Sequence, residues 1–326
     1  MGLKRYNAYA DYFKRTYGQR MQKLSIDAGF GCPNRSSSQR EKGGCTFCVN
    51  AAFNPSYCTP LKSITQQLDE GIEFHEHRYR KAGRYLAYFQ AYSNTYAPLE
   101  VLRQRYGEAL RHDKVDGLII GTRPDCVDPQ VLDYIASLAK DHYVAVEYGV
   151  ESCYDATLLK INRGHDFACT QRAIAMTAER GIACGAHLIL GLPGESRDMM
   201  LAEADMISAM PVDSLKLHQL QILKGSPMEQ QYGGSHPVAP GMEIVQFELH
   251  DYLMLVCDFL ERLRPDLMME RFAGEVPPRY QACPQRSWRR PDGRLIRNEE
   301  IPVLVEQELE RRDSWQGKLY SKPTAS

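Results

Sequence analysis

The sequence predicts an α/β fold on a parallel sheet, and three observations carry that prediction. Short apolar segments such as Gly117-Leu-Ile-Ile-Gly121 and Tyr143-Val-Ala-Val-Glu147 recur along the chain. Longer segments of helical character separate them, and the strand–helix pair repeats about six times. The segments are apolar throughout rather than alternating, which suits strands covered on both faces by helices. Six units fall short of a closed eight-stranded barrel, so the pattern leaves an open partial barrel or a doubly wound sheet. The 326 residues, 43% hydrophobic, suffice for one such domain.

Residues 1–23 read as a basic N-terminal segment. Lys23-Leu-Ser-Ile-Asp27 is the first strand and runs into a Gly/Cys-rich loop over 29–60. A helix over 63–79, a strand over 85–90, a helix over 98–112 and the strand 117–121 follow. Asp128 is placed to cap a helix over 129–140, whose first residue is Pro; that position needs no N–H partner. The strand 143–147 precedes a helix over 167–180 that Gly181 closes. A strand over 184–190, a helix over 196–209 and a strand over 215–220 lead to a long amphipathic helix over 242–264. The barrel unit is thus expected at 24–265. Beyond it, Pro277, Pro278, Pro284, Pro291 and Pro302 interrupt regular structure until a charged helix over 303–312. Residues 266–326 therefore read as a C-terminal extension, a lid or a substrate-contacting segment.

A formal net charge of -1 excludes a whole-molecule polyanion binder. The charge is uneven, however. Lys4, Arg5, Lys14, Arg15, Arg20 and Lys23 stand against Asp11 near the start, and Arg286, Arg289, Arg290, Arg294 and Arg297 stand against Asp292. No apolar run approaches a membrane span and no signal-peptide pattern opens the chain, so a cytoplasmic protein is expected. Ten cysteines in a reducing compartment point to metal or redox chemistry rather than disulfides.

The cysteines concentrate after the first strand, in Gly31-Cys32-Pro33-Asn34 and, after a gap of twelve residues from Cys32, in Cys45-Thr46-Phe47-Cys48. In a parallel barrel this loop lies at the C-terminal ends of the strands, where active sites form. Three neighbouring thiolates suit a soft metal. Zinc would want a fourth ligand, for which Cys58 is available. An iron–sulfur cluster on three cysteines would instead leave one iron open. Cys153 and Cys283 sit in loop-like sequence, so a second redox role is open for them.

Further motifs follow in order: Arg84-Tyr-Leu-Ala-Tyr-Phe-Gln-Ala-Tyr92, Gly121-Thr-Arg-Pro-Asp-Cys126, Ile161-Asn-Arg-Gly-His165, His187-Leu-Ile-Leu-Gly-Leu-Pro-Gly-Glu195 and Leu215-Lys-Leu-His218. Together with Arg20–Cys48 they make the chain resemble the radical S-adenosylmethionine (SAM) superfamily, in its elongator-catalytic-subunit-like branch of YhcC/YtqA-type proteins. That superfamily spaces its cysteines C-x3-C-x2-C; here the first gap is stretched. The resemblance implies a partial (β/α)6 TIM-type barrel with a C-terminal extension. It also implies a [4Fe–4S] cluster on Cys32, Cys45 and Cys48, SAM as cofactor, and an external electron donor such as flavodoxin or ferredoxin. Reductive cleavage of SAM would then give methionine and a 5′-deoxyadenosyl radical.

Carried over residue by residue, Phe47 would lie beside adenine. Gln90 and Tyr92 take the place of the edge that binds the SAM amino group, although the usual Gly-Gly-Glu is absent. Glu151, rather than Glu147, would accept from the ribose, or else be a surface carboxylate. Arg163 would pair with the SAM carboxylate, as a planar guanidinium can, or else be a helix-surface arginine. Ile189 and Gly191 belong to the element that pairs with adenine; here His stands at 187 and Glu195 falls one residue late. His165 is either a polar active-site group or a cap.

Arg123 and Asp125 follow the third strand and would contact SAM or substrate, or pair with each other. Lys216 and His218 alternate on the sixth strand, so period two puts both on one face, expected inside the barrel. Arg289 and Arg290 beside Trp288 suit phosphates and an unpaired base. The resemblance implies tRNA as partner and the wobble uridine as target. With no acetyltransferase half evident, alteration of an existing C5 side chain such as carboxymethylaminomethyl is the sharper expectation. The alternatives are a radical SAM enzyme on a small molecule or protein, and a non-catalytic zinc-binding module.

Overall fold

Seven short segments pair into one parallel sheet: β1 (Met21–Ile26), β2 (Arg84–Phe89), β3 (Val115–Thr122), β4 (Tyr143–Glu151), β5 (Ala183–Leu190), β6 (Ser214–Gln219) and β7 (Met268–Arg271). The computed structural model describes residues 4–35, 43–78, 82–232, 240–282, 288–290 and 292–322. Cys283, Pro284, Arg286 and Pro291 lie outside them. Each strand neighbours the next in sequence. A doubly wound sheet requires a point where strand order reverses. None occurs here, so the sheet curls one way into a half-barrel and the partial-barrel alternative holds.

Helix α1 (Tyr9–Tyr17) precedes β1, and α2 (Ile64–Arg78), α3 (Leu99–Leu110) and α4 (Pro129–Leu138) return the chain between strands. They are followed by α5 (Asp155–Lys160), α6 (Phe167–Ala178), α7 (Arg197–Ser208), α8 (Pro227–Tyr232), α9 (Leu249–Arg262) and α10 (Ile301–Arg311). Local chemistry fixes several ends. Asp128 Oδ1 accepts from Val131 N at 2.9 Å, and Asp166 Oδ1 from Cys169 N at 2.7 Å. Among the described residues no helix is long and apolar enough to cross a membrane.

Three expectations change. Residues 9–17 are helical: Tyr9 and Phe13, one turn apart, bury against Leu86, Tyr88, Ile119 and Ala145 on the inner face of the sheet. Tyr9 Oη lies 3.1 Å from the hydroxyl of Tyr143, the first residue of β4, so α1 plugs the N-terminal end of the half-barrel. Lys14 and Arg15 on α1 thus lie at the opposite end of the strands from the cysteine loop, while Lys23, on β1, turns into the barrel toward Glu147. Second, β7 falls within residues assigned to the extension. It is four residues long, too short to show a pattern, and backbone pairing with β6 makes it a strand. Third, residues 242–248 are not helical. Val245 N donates to Gly191 O at 3.2 Å and Gly194 N to Glu243 O at 2.7 Å, so this stretch is spent on lining the Gly191–Gly194 turn.

The outer face of the sheet carries the main core, with Leu24, Phe89, Ile120, Val146, Leu188 and Leu217 buried beneath the helices. The inner face is apolar only near α1 and becomes polar toward the C-terminal ends of the strands.

Candidate active site

Those strand ends bound a cavity of about 250 Å³. Its wall holds Cys32, Cys45, Cys48 and Phe47 from the loop after β1, then Gln90, Tyr92, Arg123, Glu151, Arg163, Ile189, Lys216 and His218. Most residues singled out from sequence are therefore brought together. Asp125 and Gly191 are not in this wall. Gly191 has φ +92, and a Cβ there would meet Val245 O at 2.4 Å, so it serves the turn. Arg289 and Arg290 stand outside the cavity, both exposed. Arg290 pairs with Glu300 and Arg294 with Asp292, which cancels part of the local positive charge. Arg289 Nη1 donates to Gly293 O at 2.8 Å.

Three donors converge on the Cys45 sulfur. Arg163 Nη1 and Asn34 Nδ2 stand 3.5 Å from it, and Arg123 Nη1 3.9 Å. Positive charge is thus placed where an anionic sulfur would need it. Burial, then the neighbouring Cys45, pushes the Cys48 thiol up to about 11, a cost that a metal offsets by displacing the proton. Among the described residues no group of three His, Cys, Asp or Glu side chains closes on a single ion-sized point; the three thiols instead edge a cavity. As a donor set, three thiols suit an iron–sulfur cluster. Cys58 is buried elsewhere; burial, then Asp27, pushes its thiol up to about 12. Cys153 is buried beside Glu203.

Arg163 is buried rather than on a helix surface. Its Nη2 donates to Gly149 O at 2.6 Å and lies 3.6 Å from Glu151 Oε1, while its Nε is buried without a partner among the described residues. Gly149 leaves room for this pair: a Cβ there would stand 2.4 Å from Glu151 Oε1. Arg123 is held by Asp125 through two bonds of 2.8 and 2.7 Å and donates to Arg163 O at 2.7 Å. It organises the arginine loop as well as facing the cavity. Tyr92, Glu151 and Asn162 are non-glycine residues at positive φ, and Tyr92 and Glu151 line the cavity. Each costs about 1–3 kcal/mol of backbone strain, held in place by its surroundings. For Tyr92 the restraint is Asn50, whose Oδ1 accepts from Tyr92 N at 3.2 Å. His165 Nδ1 lies 3.1 Å from Asp166 O. Burial, then Arg163, lowers its imidazole to about 4.

Deeper in the barrel lies a charge network that sequence reading only touched. Glu147, 2% exposed, accepts from Lys216 at 2.5 Å, Lys23 at 2.7 Å and His187 at 3.1 Å. Glu270 meets Lys23 at 2.5 Å and Lys216 at 3.0 Å, and Lys216 also reaches Tyr88 Oη at 3.3 Å. Burial alone would raise the Glu147 carboxyl; Lys216, then Lys23, overcome this and hold it well below its usual range. Lys216 and His218 do share the cavity face, as period two requires. In the sequence Glu147 reads only as a ribose acceptor and Lys23 only as part of the basic start, and Glu270 does not stand out, because charged residues on separate strands meet only once the sheet curls. Period two on each strand was the available signal.

With this geometry in place, similarity to known proteins becomes informative. The profile of the radical SAM superfamily matches residues 29–207, and that of the radical SAM C-terminal domain matches 212–299. The uncharacterized protein YtqA of Bacillus subtilis is 36% identical over 319 residues, 98% of this chain and 94% of that protein. A tRNA uridine(34) acetyltransferase of Methanocaldococcus infernus is 27% identical over 132 residues, 40% of this chain and 24% of that protein. The solved archaeal Methanocaldococcus infernus Elp3 with an N-terminal deletion has a TM-score of 0.63 at 14% identity, over 91% of this chain and 64% of that one; this likeness shows the fold. The chain belongs to the radical SAM superfamily, in its Elp3-like branch, and is a radical SAM enzyme whose cofactors are a [4Fe–4S] cluster and SAM.

Proposed function

We propose that this radical SAM enzyme holds its cluster on Cys32, Cys45 and Cys48 and alters an existing C5 side chain, such as carboxymethylaminomethyl, on the wobble uridine of a tRNA. The observation that carries the RNA reading is the cavity rim. Phe53, Tyr92 and Tyr96 are 39%, 41% and 47% exposed. Phe53 and Tyr92 line the cavity, and Tyr96 packs against Gly31 beside Cys32. Exposed aromatics around a cavity suit the stacking of unpaired bases. The partial match to a protein named tRNA uridine(34) acetyltransferase supports the same target.

When bound, the cluster supplies the electron that cleaves SAM and generates the 5′-deoxyadenosyl radical. The chain's own residues hold and shield the reactants. Arg163, already fixed by Gly149 O, offers its guanidinium to the SAM carboxylate. Glu151, Phe47 and Ile189 line the same cavity, where Glu151 would accept from the ribose hydroxyls and Phe47 and Ile189 would give adenine apolar contact. Lys216 and His218 line the same cavity and would face the substrate group. Flavodoxin or ferredoxin would act as reductant. The test is anaerobic: reconstituted protein, dithionite and SAM, with 5′-deoxyadenosine measured with and without tRNA and against Cys48→Ala. The reading expects cleavage by the wild type alone and acceleration by tRNA. Cleavage indifferent to tRNA would remove the RNA substrate; no cleavage with zinc in place of iron would remove the cluster assignment.

A further inference from the structure

A second cavity of about 360 Å³ opens beside the first, joining the end of β6 to the segment after β7. The two share Gln219, Leu220, Gln221 and Gly274, so a group bound in one adjoins a group bound in the other. Two acceptors in the second wall lack donors: Oε1 of Gln221 and Oε1 of Gln246 are buried with no hydrogen-bond partner among the described residues. The orientation of Gln221 is fixed. Its Nε2 donates to Gly274 O at 2.8 Å, so turning the amide would set oxygen against oxygen. A buried acceptor left without a donor destabilises the fold, and a ligand N–H would satisfy it.

The remaining lining narrows the ligand. Among the described residues no Lys or Arg lines this cavity, while Glu248 and Glu275 do. Such a wall repels phosphate and attracts N–H donors. Trp288 and Phe247 supply apolar surface. Trp288 is held firmly: its Nε1 donates to Phe247 O at 2.9 Å, and its ring lies 5.0 Å from that of Tyr252. A fixed aromatic wall with unsatisfied acceptors suits a flat, amino-bearing heterocycle.

We propose that this second cavity is a nucleobase subsite for cytosine, adenine or guanine, occupied by a base neighbouring the modified nucleotide. Its placement beside the target rests on the RNA reading above; its ligand chemistry rests on the cavity alone. The exocyclic amine supplies the donors that Gln221 and Gln246 lack. Uracil offers a single imide N–H between two carbonyls, which would face acceptor oxygens, and is disfavoured.

The chain holds two tryptophans, Trp288 and Trp315, so Trp315→Phe leaves Trp288 as the sole fluorescent reporter. The reconstituted full chain is saturated with SAM, which fills the adenosine site of the first cavity, and titrated with cytidine and with uridine. Saturable quenching by cytidine at least tenfold tighter than by uridine is expected, and Gln246→Leu and Gln221→Leu should each abolish the difference. Circular dichroism and iron content separate loss of binding from loss of folding. Equal quenching by both nucleosides, or none, overturns the subsite. An anticodon stem-loop is tested alongside. If the stem-loop binds while the nucleosides show no preference, this proposal falls and the RNA reading stands. If cytidine is selected but no stem-loop binds, the subsite stands and the RNA reading falls.

Discussion

Replacing Lys216 by Met removes the cation at the centre of the buried network while keeping an unbranched side chain one atom shorter. Lys216 is 3% exposed and lies 2.5 Å from Glu147 and 3.0 Å from Glu270. Deleting one partner of a buried pair costs about 3–5 kcal/mol, because the other charge is left without compensation. Glu147 would keep Lys23 at 2.7 Å and His187 at 3.1 Å, so the low end, about 3 kcal/mol, is expected. The effect should depend on pH. In the wild type the lowered Glu147 pKa gives stability that is present above about 4.5 and lost as pH falls through the folded value. Without Lys216 that contribution shrinks, so the deficit should be largest near neutrality and fade in acid. Anaerobic urea unfolding of the reconstituted protein, followed by circular dichroism, measures it. The double variant Lys216→Met/Glu147→Gln leaves no unpaired carboxylate at that position and should recover part of the loss. A single-variant deficit below about 1 kcal/mol, the range of an exposed ion pair, would refute the claim that the network is electrostatically buried.

Three further outcomes follow from the same geometry. Cys32→Ala, Cys45→Ala and Cys48→Ala should each lose iron and sulfide on anaerobic isolation, whereas Cys58→Ala, at a residue outside the cavity wall, should retain both; equal loss at Cys58 would point to a four-ligand site. Gly149→Ala drives a methyl to within 2.4 Å of Glu151 Oε1 and 2.8 Å of Arg163 Nη2. Overpacking of this kind costs about 1–3 kcal/mol, so SAM affinity by equilibrium dialysis should fall at least fivefold with iron content unchanged. Glu203 is fully buried, and burial, then Glu195, pushes its carboxyl well above the usual range. The folded state then binds more protons than the unfolded state, so this group's contribution declines as pH rises above about 4.5. Glu203→Gln, keeping the bond from Cys153 N, should raise the thermal midpoint at neutral pH and flatten its pH dependence; a lowered midpoint would show that the native carboxylate is ionised.

Most of the fold was legible because continuous apolar strands and capped helices are local signals. Asp128 caps its helix as the sequence reading expected, and Asp166 and Ser196, not singled out from sequence, cap theirs by the same side-chain chemistry. The four-residue β7 was not legible, since a pairing partner and not a residue pattern makes it a strand. Nor was α1 expected, because the segment was read for its charges, Lys14 and Arg15 among them, and not for the Tyr9–Phe13 face one helical turn apart. At the site, the cysteine loop and the motifs around Gln90, Arg123, Glu151 and Arg163 were readable in order along the chain. What they do to one another was not. Arg123 and Arg163 both turn on Cys45, which lies far from them in sequence.

By itself, the sequence determined a parallel α/β domain, a three-cysteine loop at the mouth of its sheet, and the order of the motifs around it. Those follow from local propensity and from spacing along the chain. Tertiary structure decided that the sheet curls in one direction, that α1 closes its far end, and that Lys23, Glu147, Lys216 and Glu270 share one buried network. It also decided that Gln221 and Gln246 meet in a second cavity. These depend on which strands become neighbours across the curl. No segment carries that information alone, because the energy of burying a charge or an acceptor is set by groups from distant parts of the chain.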